Sequence, residues 1–244
     1  MEPEQASARA CQSWTGRLQA FLEVLLLAGL VSSFLASLPF GLTGRGPMAL
    51  ASDAPSVAAF ILLEASIVLL LLLLLLHMNQ ETLKDLGMHR HQWISHLAVG
   101  AALVPVLFLV NALVALCFKV LLPKYFLDRN PLIDLIRTPK DLAVFLLAAL
   151  YAGGIKEELQ RAFILNRFRD HLGGAWFGLV VWSIVFGAGH YVQGPQGVVA
   201  ATIFGLLFGG LYLVRRSLLA PLAAHALYDT TALLGYWFFS SGRT

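Results

Sequence analysis

Three polar islands interrupt the apolar C-terminal half of this chain. The first is Glu157-Glu158 with Arg161, the second Phe186-Gly187-Ala188-Gly189-His190, the third His225-Ala226-Leu227-Tyr228-Asp229. On a helix Arg161 lies four residues from Glu157 and three from Glu158, so it can reach either carboxylate. Pairing with one leaves the other free for general base work. His225 and Asp229, four apart, share a helix face. Asp229 either orients His225 or faces a common ligand beside it. One Glu with two His can hold and polarise a water. Glu157, His190 and His225 are equally a donor set of the kind found in hydrolytic Zn²⁺ sites. The His-Glu-x-x-His helix of common zinc proteases is absent. Each island also has a plainer reading: flanking charges at a helix end, a hydrogen-bonded core histidine, and a local His–Asp bond closing a helix.

What must position these groups is a set of apolar helices. Hydrophobic residues make up 58% of the 244 residues and charged residues 13%, against roughly 25% charged in soluble proteins. A helix needs about 20 mostly apolar residues to cross a bilayer. Leu18–Phe40, Pro55–Leu76, Leu97–Leu122 and Leu142–Ile155 are apolar runs, followed by Ala175–Gly189, Gly197–Val214 and Leu218–Phe239. The expectation is an all-α polytopic transmembrane bundle of about seven spans enclosing an intramembrane site. An ionisable group at bilayer depth costs a few kcal/mol by insertion scales, so the islands are expected to pair with one another. Glu23 and Glu64 are isolated acids in the first two runs. Glu23 is expected to snorkel or pair with Arg17, whereas the sequence assigns Glu64 no partner.

The net charge of +3 and the lack of a basic, aromatic-interleaved patch exclude nucleic acid as a partner. With seven spans, the side holding the N-terminus collects 10 of the 17 Lys and Arg, which favours a cytoplasmic N-terminus and a plasma (inner) membrane location. Cys11 and Cys117 indicate no disulfide framework. Glu2 and Glu4 interrupt the basic segment a cleavable signal would need. The organisation is a polar tail over 1–15, structural transmembrane helices over 16–140, the chemistry-bearing helices over 141–239 and a short tail over 240–244. Glu81–Met88 reads as a short interfacial helix. Gly174-x-x-x-Gly178 and Gly205-x-x-x-Gly209 read as small-residue faces for close helix contact.

The three islands in this order resemble the CAAX-protease and bacteriocin-processing (CPBP, or Abi) family of intramembrane endopeptidases. That family carries a Glu-Glu pair with a downstream Arg, a Phe-x-x-x-His and a His-x-x-x-Asn/Asp. The resemblance spans about residues 145–237. It implies peptide-bond hydrolysis in which Glu157, assisted by His190, activates water, while His225 and Asp229 stabilise the oxyanion. Glu158 and Arg161 would form the supporting ion pair. It further implies a protein or peptide substrate at the bilayer, membrane-associated or prenylated. Any Zn²⁺ would be held by Glu157, His190 and His225. The family spacing is Glu-Glu-x-x-x-Arg, and here it is one residue shorter. Aligning the Glu pair keeps both carboxylates in role, whereas aligning Arg161 would put Lys156 in place of the first Glu. Two other classes stand beside the protease. One is a non-catalytic scaffold or bacteriocin-immunity-type protein. The other is a proton-coupled transporter using Glu64, Glu157 and the histidines.

Overall fold

The computed structural model describes residues 13–42, 53–89 and 92–241. Most of the N-terminal tail, with Cys11, and most of the Gly41–Asp53 loop lie outside them, as do residues 242–244. The described residues are helical and contain no strand. In chain order they form α1 (Trp14–Leu27), α2 (Leu30–Leu42), α3 (Ala54–Met78), α4 (Trp93–Leu121) and α5 (Pro139–Ala148). A π-helical stretch, Ala149–Glu157, joins α5 to α6 (Glu158–Asp170). Then come α7 (Ala175–Gly189), α8 (Gly194–Arg215) and α9 (Leu219–Ser241). Each apolar run of the sequence falls on one of seven rods. α1 and α2 make the first, broken at Gly29, whose φ is +99°. α5, the π stretch and α6 make the fourth.

Trp14–Leu42, Ala54–Met78, Trp93–Leu121 and Tyr191–Arg215 are long and apolar enough to cross a membrane by themselves. The remaining rods carry the polar islands and need neighbours as solvent. α6 is the extreme case, for every residue from Glu158 to Phe168 is buried. A helix buried all round is ordinarily apolar all round. This one holds Glu158, Arg161 and Arg167 at the centre of the bundle, so each charge requires a partner. Phe163, Ile164 and Leu165 fill the gaps between them. They pack into the main core with Leu27, Val68, Leu72, Leu86 and Trp182.

Helix ends obey local chemistry. Asp53 caps α3, its carboxylate accepting from the Ser56 amide at 2.8 Å. Thr138 and Asp141 close a reciprocal capping box at the start of α5. The Thr138 hydroxyl bond, with the amide bonds, holds the exposed Asp141 carboxyl below its ordinary range. The long loop before α5 is tied to α8: Gln196 accepts from the Leu127 amide at 2.8 Å and donates to its carbonyl at 2.6 Å.

Three expectations change. Glu81–Met88 is a run of turns rather than an interfacial helix; Thr82 and Asp85 bond each other, and Gly87 takes φ +86°. Glu23 pairs with Arg167, not Arg17, and also accepts from Gln19 and Asn79. Arg167 in turn forks onto Glu81 at 2.7 and 2.8 Å. Bidentate geometry of this kind favours Arg over a point charge. Gly174 is no packing face: it sits at φ +102° ahead of α7 with nothing near it. Gly205 and Gly209 do bring α8 onto α7, against Ser183 and Leu179.

Candidate active site

The π stretch sets the site. Its wider turn ends on Glu157, so the first carboxylate sits at a π-to-α junction and the second opens α6. Such π segments are rare and frequent at functional sites. Within it, Gly153 and Gly154 face α9. A Cβ on Gly153 would fall 2.7 Å from Asp229 Oδ2 and 3.1 Å from His225 Nε2; one on Gly154 would meet Ala226. The missing side chains leave the third island room directly beside the first. Sequence inspection passed over Gly153, although Gly-Gly just before charged residues in an apolar run was the available signal.

Arg161 selects Glu158 of the two carboxylates and forms a short, fully buried ion pair with it. The guanidinium lies over the Phe186 ring at 4.8 Å and the Phe208 ring at 5.5 Å. Cation–π contact of this kind is strengthened by desolvation. Glu158 also meets His225 Nδ1 at 2.7 Å. An ionised carboxylate only accepts, so Nδ1 carries the proton and donates. The His225 ring stacks on Phe208, 4.7 Å between centroids. His225 Nε2 then faces Glu157 at 3.8 Å and Asp229 at 3.6 Å.

The Phe-x-x-x-His spacing has its own logic. His190 Nδ1 lies 2.8 Å from the Phe186 carbonyl. A carbonyl accepts, so His190 too donates from Nδ1 and keeps Nε2 free. Phe186 therefore fixes the imidazole by its carbonyl and by ring contact at 4.6 Å, and covers Arg161 with the same ring. α7 has 15 residues and so rises about 22 Å, short of the roughly 30 Å hydrocarbon layer. His190 follows its last residue, Gly189. It lies within electrostatic reach of both Glu157 and Asp229.

The structure thus gathers Glu157, Glu158, Arg161, His225 and Asp229, with His190 beside them. Side-chain exposure rises from 1% at Glu158 through 9% at His225 and 17% at Glu157 to 27% at Asp229. The closed end is a neutralised ion pair, and the open end presents two carboxylates and an imidazole nitrogen. Among the described residues no group of three or more His, Cys, Asp or Glu is placed to hold an ion. His225 Nδ1 and His190 Nδ1 are engaged by a carboxylate and a carbonyl, so a metal there would be held through the two Nε2 atoms together with Glu157. Lys156 and Glu64, which the sequence left apart, meet at 3.0 Å at the edge of this site.

Gly153→Ala is expected to abolish catalysis while sparing insertion. The new methyl group would collide with Asp229 and His225, which face the open end of the site. The measurement is turnover per folded molecule beside melting temperature; unchanged turnover would show that this gap is not used.

Residues 138–231, under half of the chain, match a family model described as Rce1-like, type II CAAX prenyl endopeptidase Rce1-like. This bears out the resemblance to the CPBP family. No curated protein and no solved structure matches the chain. At family level the match supports a CAAX-type intramembrane protease, and all three islands fall inside it.

Proposed function

We propose, from the Rce1-like match over residues 138–231, that this chain is an intramembrane endopeptidase of glutamate type acting on prenylated or otherwise membrane-anchored peptides. The observation that carries the reading is His225, pinned by Glu158 at 2.7 Å, with its Nε2 between Glu157 and Asp229. Glu157 is the general base. It takes a proton from a water that His190 Nε2 helps to orient, and the hydroxide oxygen adds to the scissile carbonyl carbon. The displaced electron pair resides on the carbonyl oxygen. His225, protonated on both nitrogens, donates from Nε2 to that oxyanion. A preorganised donor of this kind is worth about 2.7–4 kcal/mol to the transition state. Asp229, 3.6 Å from the same Nε2, favours the charged imidazolium through its field. As the C–N bond breaks, Glu157 returns the proton to the departing amine.

Glu158 and Arg161 are structural supports in this scheme. The transport alternative loses its free acid, since Glu64 is bound by Lys156 and Ser32. Helices 141–239 carry the chemistry and 16–140 the scaffold in this reading; the basic residues favour a cytoplasmic N-terminus, and a plasma (inner) membrane is the proposed location.

The test is cleavage, by purified protein in liposomes, of a fluorogenic peptide ending in farnesyl-cysteine and three further residues, the arrangement of a prenylated C-terminus. Release of the terminal tripeptide is expected, and protein stripped of metal and verified by elemental analysis is expected to keep its rate. Loss of activity restored by zinc would transfer Glu157, His190 and His225 to a metal-binding role. No cleavage by the intact chain would remove the protease reading.

A further inference from the structure

The residue before the Glu pair is a lysine, and a buried ammonium beside a general base is hazardous. Lys156 is about as buried as the acids around it, its side chain 10% exposed. Its Nζ stands 3.0 Å from Glu64 Oε2 but 4.0 Å from Glu157 Oε1. Glu64 comes from α3, outside the segment that matches the family model. It is held in turn by Ser32 of α2, whose hydroxyl donates to Glu64 Oε1 at 2.7 Å. Ser32 is fully buried and Glu64 nearly so.

We infer that Glu64, with Ser32 behind it, is a positioning residue that draws the Lys156 ammonium off the Glu157 carboxylate. The inference rests on the reading of Glu157 as general base. At 3.0 Å an ammonium donates a charge-assisted hydrogen bond; at 4.0 Å it supplies only a field. A hydrogen bond from Lys156 would occupy the lone pair with which Glu157 takes the proton from water. With Glu64 in place, the lysine's strongest contact lies on the side away from the reaction. Lysine has a flexible four-carbon stem and three rotatable donors. Deprived of Glu64, it has Glu157 as its nearest remaining carboxylate.

The experiment uses the full chain in liposomes and the farnesylated peptide. Glu64→Gln is expected to lower kcat about tenfold or more with KM unchanged, the pattern of a group that acts on the chemical step. The double variant Glu64→Gln with Lys156→Gln removes the stray ammonium as well and is expected to recover kcat to within a few-fold of the parent. That rescue is a readout a merely structural ion pair would not give. If Glu64→Gln keeps full kcat per folded molecule, or the double variant stays as slow as the single, the inference is overturned. Glu157→Gln run alongside separates the two levels. A dead Glu157→Gln beside a fully active Glu64→Gln sinks only the role of Glu64. An active Glu157→Gln sinks the general-base reading, and this inference with it.

Discussion

Glu157→Gln is expected to yield a folded, membrane-inserted protein whose cleavage rate is about 10²–10⁴-fold lower, the usual loss on removing a general base. The fold should survive because Glu157 carries no structural bond of its own. Its nearest charged neighbours are His225 Nε2 at 3.8 Å and Lys156 Nζ at 4.0 Å, both beyond hydrogen-bonding distance. Lys156 keeps Glu64, and His225 keeps Glu158. Glutamine matches the shape of glutamate and cannot take the proton. Purified yield and melting temperature should therefore match the parent while turnover collapses. A folded Glu157→Gln enzyme with full activity would remove this carboxylate from the mechanism.

The adjacent carboxylate should behave in the opposite way. Glu158→Gln and Arg161→Ala are expected to lower melting temperature and membrane abundance, the first leaving Arg161 without a counter-charge in the core and the second leaving Glu158 with His225 alone. Breaking a buried pair in this manner costs about 3–5 kcal/mol. Arg161 is especially exposed to the loss of its partner. Its Nε and Nη2 are buried without hydrogen-bond partners among the described residues, so the bond to Glu158 carries its compensation. Glu158 also fixes His225, so any Glu158→Gln protein that folds should be slow as well as unstable. The deciding comparison sets yield, melting temperature and cleavage rate for the three variants side by side. A stable but dead Glu158→Gln enzyme beside an active Glu157→Gln enzyme would exchange the two roles.

The helices were legible because a bilayer demands long apolar runs, and each run found its rod. The islands were legible for the complementary reason: an ionisable group in such a run is costly unless it is used. What the spacing left open was partnership. Arg161 lies in reach of both glutamates by helix geometry, and apolar periodicity does not reveal which one it takes or that Glu157 ends a π stretch. Lys156 with Glu64, and Arg167 with Glu23 and Glu81, join segments far apart in the chain, and no local pattern encodes them. The Glu81–Met88 turns were missed because Gly87 and the Thr82–Asp85 bonds outweigh the segment's helical composition.

The central placement of α6 governs how the protein is made. A helix carrying Glu158, Arg161, Arg167, Arg169 and Asp170 partitions poorly from a translocon into lipid by itself. The acids that receive two of the basic residues in this rod, Glu23 for Arg167 and Glu64 for Lys156, belong to helices synthesised earlier. Both acids precede the charged rod in chain order. Gln160 adds a third anchor, donating to the Leu27 carbonyl at the break between α1 and α2. The N-terminal helices thus supply the counter-charges that make this charged rod tolerable inside the bundle. The charges of the later half of the chain are thus compensated by the earlier half.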